Sequence, residues 1–186
     1  MLEYTRITMK KFYSLACVLF ALALAFTSCK PKPNGPEPVE YETVYASYAM
    51  NYGDWYKENT TYFILTLGDE KYATTSCGKV FSIEFFAPAD CDYPPVGTYP
   101  FNTSCEPMTV LAGYVNAAGT AVFGSTVMDY VQSTPDYETR ELLEEGTMEV
   151  IAGPDGSEYH IDFTYDGETR HFKVFVPNGG WYKEEW

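Results

Sequence analysis

Short runs of alternating apolar and polar residues cover most of the chain beyond residue 40. Such runs, rich in tyrosine, phenylalanine and valine, are typical of β-strands that bury one face. Even spacing, frequent glycine and proline turns and the lack of a long helical period predict an all-β domain over residues 40–186. We expect an antiparallel barrel or sandwich of about 8–10 strands. The runs are Tyr41–Tyr52, Thr61–Leu67, Lys79–Phe86, Gly97–Phe101, Met108–Val115, Thr120–Val131, Thr147–Ala152, Tyr159–Tyr165 and Phe172–Val176.

The clearest predicted hairpin joins the last two runs. Its apolar residues alternate with polar ones, so that one face is buried and the other is solvated. Asp166-Gly167 suits a tight turn because both central positions of a type I′ turn need positive φ. A two-residue loop pairs Ile161 with Phe172, and a four-residue loop pairs Phe163 with Phe172. Either register keeps the same inward face, formed by Tyr159, Ile161, Phe163 and Tyr165.

Little helix is expected in this domain. The candidate is the segment from Pro135 to Glu145, where Leu142 and Leu143 lie among acidic residues. It predicts a turn or two of helix within a loop.

The first part of the chain carries an export signal. Lys10 and Lys11 precede an apolar stretch from Ser14 to Phe26, and Thr27-Ser28-Cys29 follows it. A basic start, an apolar run of about 7–15 residues and small residues before a cleavage point are typical of a removable signal peptide. We therefore predict a signal peptide over residues 1–28 and a proline-rich tether over 29–39.

Two resemblances extend this interpretation. Phe26-Thr27-Ser28-Cys29 and the polar, proline-rich segment after it resemble the lipobox and tether of Bacteroidetes-type envelope lipoproteins, which implies acylation of Cys29 and an outer-membrane location. Lys30 and Lys32 stand where surface-exported members usually carry acids, so both a periplasmic and a surface-facing anchor stay open. The segments Pro95–Phe101, Glu145–Val150 and Glu158–Phe163 resemble small all-β lipoproteins with calycin-like or related barrels. This resemblance implies an interior that could take a small apolar ligand.

Charge and composition exclude several classes of function. The net charge is −14, so the chain lacks the basic footprint that nucleic acid binding requires. It has neither a calcium-binding loop with spaced ligands nor the clustered ligands of a zinc site. We expect no cofactor and no metal.

Three of the five cysteines remain once Cys17 is removed with the signal and Cys29 is reserved for lipid. A hairpin between Lys79–Phe86 and Gly97–Phe101, centred on Cys91, would place Cys77 opposite Cys105. Directly opposed strand residues lie within disulfide range. We predict a Cys77–Cys105 disulfide with Cys91 unpaired, and three reduced thiols are the alternative.

No arrangement of residues specifies a reaction. The chain has two histidines in all, His160 and His171, and both fall on the solvent face of the last hairpin, where a cross-strand charge pair is the simplest interpretation. No nucleophile motif accompanies them, so we predict no catalytic residue.

Clustered aromatic residues indicate binding instead. Trp55 and Tyr56 follow a Gly-Asp turn, and Trp181 and Tyr182 lie close to the C-terminus. Exposed aromatic planes can stack on sugar rings. We therefore expect a non-enzymatic, lipid-anchored envelope protein that binds a glycan or a small apolar ligand. The alternatives are an adhesin or assembly component that acts through sheet edges, and a hydrolase with an unrecognised carboxylate site.

Overall fold

The computed structural model describes residues 38–184. The predicted signal peptide, Cys29 and residues 29–37 of the tether lie outside the described residues, and so does Trp186. The strands and the helix belong to a compact unit that runs from Val39 to the C-terminus. Among the described residues, no helix combines the length and apolar character needed to cross a membrane.

The described residues are almost entirely β-structure. The short helix is α1 (Glu70–Thr75). The strands are β1 (Glu42–Thr43), β2 (Tyr45–Asn51), β3 (Thr60–Gly68), β4 (Gly78–Pro88), β5 (Gly97–Asn102), β6 (Thr109–Leu111), β7 (Tyr114–Val115), β8 (Val122–Phe123), β9 (Thr126–Val131), β10 (Thr134–Leu142), β11 (Gly146–Ala152), β12 (Gly156–Tyr165), β13 (Glu168–Pro177) and β14 (Tyr182–Lys183). Every predicted run contains strand, which confirms the all-β class.

One mixed sheet dominates the fold and curls into a half-barrel. Its strands follow the order β1-β13-β12-β11-β5-β6-β4-β3-β2-β14, and β9 adds to β4 and carries β10. Most neighbours are antiparallel, as predicted, but β1–β13, β5–β6 and β2–β14 are parallel. The stretch from Glu42 to Asn51 pairs with β13 through β1 and with β3 through β2.

The inner face of the sheet forms the main core because alternate residues on each strand point the same way. Phe63 and Leu65 on β3 lie beside Phe85 and Ile83 on β4, and all four are fully buried. Tyr159 and Ile161 on β12, Tyr99 on β5 and Phe172 on β13 complete this core. The concave side of the half-barrel is thus packed with side chains.

The outer face of β3 and β4 carries a second apolar layer. Tyr62, Phe86 and Leu111 form its buried part. Tyr52, Tyr56 and Tyr114 pack against them from the neighbouring loop and from β7. The middle of the sheet is therefore covered on both sides. On the outer face, residues of the neighbouring loop and of β7 provide this cover.

The predicted hairpin at the C-terminus is confirmed in its tighter register. Ile161 pairs with Phe172 and Tyr159 with Val174, which is the pairing that a two-residue loop requires. Asp166 and Gly167 both have positive φ, as a type I′ turn demands. The four-residue alternative, with Phe163 opposite Phe172, is wrong.

The predicted helix from Pro135 to Glu145 is also wrong. Thr134–Leu142 is β10, which pairs with β9. Gln132 and Ser133 both have positive φ and form the tight turn between the two strands. These residue types do not predict such a turn from the sequence. Pairing with β9 overrides the weak local preference for helix. The helix that does form begins after Asp69, whose carboxylate caps it by accepting from the Tyr72 amide at 2.6 Å.

The predicted hairpin around Cys91 is absent. β6 lies between β4 and β5, and Val110 on β6 is aligned with both Phe85 and Phe101. The two strands that were expected to place Cys77 opposite Cys105 are therefore not neighbours.

The predicted Cys77–Cys105 disulfide depended on that hairpin and is wrong. Cys77, Cys91 and Cys105 are free thiols. The sulfur of Cys77 accepts a hydrogen bond from the Gln132 amide at 3.2 Å. Cys105 packs instead against the aromatic layer on the outer face of β3 and β4. The structure thus corresponds to the alternative of three reduced thiols.

Candidate functional site

Trp55 and Tyr56 lie together on the outer face of β3. Gly53, with φ of +60°, turns the chain there, and its carbonyl accepts from the Tyr62 amide at 2.7 Å. The indole of Trp55 stacks on the Tyr62 ring at 6.1 Å between centroids, yet 61% of the residue is exposed. Tyr56 packs beneath it against Tyr62 and Phe86. The loop thus presents one indole plane to solvent on a base of buried rings.

Trp181 and Tyr182 do not join this surface. Trp181 packs edge-on against Phe63 and Phe85, whose side chains point to the inner face. Because adjacent residues on a strand point to opposite faces, Phe63 and Tyr62 place Trp181 and Trp55 on opposite sides of β3. Tyr182 is 67% exposed on β14. Of the four predicted aromatic residues, the structure brings together Trp55 and Tyr56, while Trp181 supports the core.

A polar cavity of about 190 Å³ opens on the same outer face. Its floor includes a row of hydroxyls across three strands, because Ser82 on β4 pairs with Thr66 on β3 and with Thr126 on β9. The other lining residues are Val80, Glu84, Val122, Gly124, Met128, Tyr130 and Arg140. We call this space the outer cavity.

Tyr62 connects the outer cavity with the exposed indole. Its ring lies under Trp55, and its hydroxyl donates to Oε2 of Glu84 at 2.5 Å. Burial raises the pKa of the Glu84 carboxyl above its ordinary value, against the opposing effects of the Tyr62 hydrogen bond and the charge of Arg140. Burial, followed by the Glu84 charge, likewise raises the pKa of Tyr62. At the edge of the cavity, the partly buried carboxyl of Glu84 therefore accepts a hydrogen bond from the neutral phenol of Tyr62.

Arg140 is the basic group of the outer cavity. It belongs to β10, within the irregular stretch between Asp136 and Glu141 where the pairing with β9 shifts register. Its guanidinium lies over the Tyr137 ring at 4.9 Å. Its Nε is buried and has no hydrogen-bond acceptor among residues 38–184.

Sequence reasoning missed Glu84, Arg140 and the row of hydroxyls. Glu84 had a visible signal, since it is a single acid within the apolar run from Phe81 to Ala87. Arg140 had no such signal, because its segment was interpreted as helix. The cavity itself forms only when β9 pairs with β4 and β10 pairs with β9.

A second space of about 290 Å³ lies near Asn51 and Cys91. Its buried polar side chains, those of Asn51, Thr60 and Thr61, already have partners. The Asn51 amide donates to the carbonyls of Cys91 and Asp92, and the Thr61 hydroxyl donates to the Pro88 carbonyl. Burial and the charges of Asp90 and Asp92 raise the pKa of the Cys91 thiol, which disfavours the reactive thiolate. These bonds anchor the loop before β5 and do not indicate a ligand.

The two histidines each lie within hydrogen-bond distance of an acidic residue of the β12–β13 hairpin. His171 Nδ1 lies 2.8 Å from Asp162, its directly opposed residue, which confirms the predicted cross-strand pair. His160 Nε2 lies 2.5 Å from Glu158, and Tyr41 stacks over the His160 ring at 4.4 Å. Within the part of the chain that the structure describes, no group of three or more His, Cys, Asp or Glu residues could hold a metal.

Comparison of the chain with protein-family models, with curated proteins and with solved structures finds no match.

Proposed function

We propose that the domain binds a glycan on the outer face of β3 and β4, with one sugar stacked on Trp55 and another in the outer cavity. The observation that carries this proposal is the continuity of the two features. Tyr62 supports the exposed indole with its ring and holds Glu84, a cavity residue, with its hydroxyl.

The two parts suit the two sides of a sugar. A pyranose ring has C–H faces that pack on an aromatic plane, and Trp55 offers such a plane with most of its surface open. Its hydroxyls need donors and acceptors fixed in place, and the outer cavity supplies Ser and Thr hydroxyls, a carboxylate and a guanidinium. A few convergent polar groups beside an apolar surface are the usual composition of a small-molecule site.

The packing of the half-barrel favours a glycan over a small apolar ligand. A ligand in the concave side would have to displace fully buried aromatic residues such as Phe63, Phe85 and Tyr159. Displacing packed side chains is costly because protein interiors are close-packed. The apolar ligand implied by the resemblance to calycin-like barrels therefore has little support.

We also propose that the curled sheet closes further, from a half-barrel towards a barrel. The stretch from Glu42 to Asn51 pairs with β13 at its start and with β3 further on, and the Val44 amide donates to the Lys173 carbonyl at 3.1 Å. These bonds support closure of the sheet through β1 and β2. They are consistent with the calycin-like resemblance.

The features of the sheet edges argue against an adhesin or assembly role. β1 and β14 have two residues each. β10 carries Pro135, several charges and a register shift. Short strands, proline, charge and bulges all discourage pairing with another chain. A hydrolase is similarly disfavoured, because Glu84 is the one acid among the described residues that line the outer cavity, and glycosidases use two.

A glycan array tests the proposal, with the full-length chain purified in detergent as the probe. We expect wild type to retain at least one neutral glycan, and Trp55→Ala to lose roughly tenfold or more in affinity because stacking on the indole is removed. Tyr182→Ala is the matched control, since it removes another exposed aromatic ring and should bind as wild type does. An array with no retained glycan, or equal binding by Trp55→Ala and wild type, would reject the glycan site.

We also propose that the chain is exported and held at the outer membrane by acylated Cys29. The support comes from the basic, apolar and small-residue pattern of residues 10–29. Metabolic labelling with a fatty acid should mark wild type and spare Cys29→Ser. Equal labelling of the two proteins would exclude this anchor, and protease treatment of intact cells would separate a surface-facing from a periplasmic domain.

A further inference from the structure

Arg140 and Glu84 both line the outer cavity, and the described hydrogen bonds do not include one between their side chains. The Nε of Arg140 is buried and has no acceptor among the described residues. Glu84 accepts from Tyr62 and lies close enough to Arg140 for the guanidinium to oppose the rise in its pKa. The described ion pairs do not include one between the two side chains.

A buried guanidinium N–H without an acceptor is costly. Leaving such a donor unpaired costs on the order of 1–3 kcal/mol, and more for a charged group. The Tyr137 ring lies 4.9 Å from the guanidinium carbon and supplies no acceptor for Nε. The described protein groups leave this donor without an acceptor, and Arg140 lines the outer cavity, so a molecule bound there is the candidate acceptor.

We propose that Arg140 and Glu84 clamp two neighbouring hydroxyls of one neutral pyranose unit. This inference rests on the proposed glycan-binding function and names the chemical class that its polar subsite takes. One hydroxyl accepts from Nε of Arg140, and its neighbour donates to the carboxylate of Glu84. Guanidinium only donates and an ionised carboxylate only accepts, whereas a hydroxyl does both. A diol is therefore matched to this pair of groups.

Charge selects the neutral sugar. The carboxylate of a uronic acid pairs with Arg140 only if it also lies close to the Glu84 carboxylate, in a chain with a net charge of −14. The ammonium of an amino sugar pairs with Glu84 only if it also lies close to the Arg140 guanidinium. Like charges at close range disfavour binding. The volume of about 190 Å³ is below the range of sites for drug-sized ligands, so the cavity takes one ring.

The direct test observes the Nε–H resonance of Arg140 in ¹⁵N-labelled full-length chain. The probes are the methyl α-pyranosides of glucose, galactose and mannose, with glucuronate and glucosamine as charged comparisons. We expect at least one neutral pyranoside to shift the Arg140 Nε–H signal in a saturable way, and both charged sugars to bind at least tenfold more weakly. The measurement uses wild type, so it remains decisive if a variant does not fold.

Variants then assign the contacts. Arg140→Lys keeps the charge but loses the Nε–H, and Glu84→Gln keeps the shape but loses the charge. Each should weaken binding of the pyranoside by roughly tenfold or more, because each loses a hydrogen bond to a charged group. Arg170→Lys is the matched control, since Arg170 pairs with Glu42 on another part of the sheet, and it should bind as wild type does.

The outcomes separate this inference from the function on which it rests. Saturable binding of a neutral pyranoside with an unmoved Arg140 signal, or with full affinity in Arg140→Lys, overturns the clamp but leaves the glycan site in place. Tighter binding of glucuronate or glucosamine overturns the choice of a neutral sugar. Absence of binding by every probe overturns the clamp, and a blank glycan array in addition rejects the proposed function.

Discussion

The different surroundings of Trp55 and Trp181 give the sharpest test of the fold. Trp181 contacts Phe63, Phe85 and Tyr159 with ring centroids 5.1, 5.9 and 6.0 Å away. Trp55 stacks mainly on Tyr62 and is 61% exposed. Replacing each tryptophan by alanine should therefore affect stability very differently, although both belong to aromatic clusters that look alike in the sequence.

The expected magnitudes follow from burial. Truncation of a fully buried tryptophan costs about 3–5 kcal/mol, and Trp181 is partly buried, so we expect Trp181→Ala to lower the free energy of unfolding by about 2–3 kcal/mol. Trp55→Ala removes one stacked pair and little buried area, which corresponds to about 0.5–1 kcal/mol. For a domain of this size, a difference of about 2 kcal/mol corresponds to a Tm gap of about 4–8 °C.

Denaturant unfolding followed by far-ultraviolet circular dichroism measures this difference. Tryptophan fluorescence is unsuitable because both substitutions remove a fluorophore. Equal free energies of unfolding for the two variants, or a larger loss in Trp55→Ala, would show that Trp181 is not part of the core and would refute the assignment of faces on β3.

Three further predictions concern the outer cavity, the strand contacts and the cysteines. Glu84→Gln should gain stability relative to wild type as the pH rises above about 4.5, since the raised pKa of Glu84 means that its ionisation favours the unfolded chain; a Tm difference that stays flat between pH 4 and 8 would contradict this. Gly146→Ala should lower the free energy of unfolding in urea by about 2–3 kcal/mol, because its Cβ would lie 2.3 Å from the Asp162 carbonyl oxygen. Gly119→Ala is the control and should cost about 1 kcal/mol, since its Cβ would meet open space and only its positive φ is unfavourable. Equal costs for the two variants would argue against the close strand contact at Gly146. Alkylation of unreduced protein followed by peptide mapping should label all three cysteines of the domain, and any linked pair of peptides would contradict the free thiols.

Local pattern predicted the parts of the fold whose pairing is local. The hairpin of β12 and β13 follows from alternation and from the Asp166-Gly167 turn, and its register is the one that a two-residue loop requires. The turn at Gln132-Ser133 carried no such signal, so β10 was expected to be a helix. Pairing between β4 and β5 was predicted from chain proximity, and the intervening β6 made it wrong.

The candidate site was predicted only in its local part. Trp55 and Tyr56 are neighbours in the sequence, and they share one surface in the structure. Their supposed partners near the C-terminus were assigned by residue type, and Trp181 packs on the opposite face of β3 from Trp55. Residue type can indicate an aromatic plane, but whether the plane is exposed depends on what packs against it.

The sequence by itself determined the all-β class, the face that the β12–β13 hairpin buries and the tight turn between these strands, because all three depend on a two-residue period and on local backbone preferences. Only the tertiary structure decided the mixed strand order, the free thiols and the meeting of Glu84 with Arg140. Those two residues are 56 positions apart in the chain, and β9 and β10 bring them to one cavity by pairing beside β4. Non-local pairing depends on the packing of the whole sheet, which no short stretch of sequence encodes.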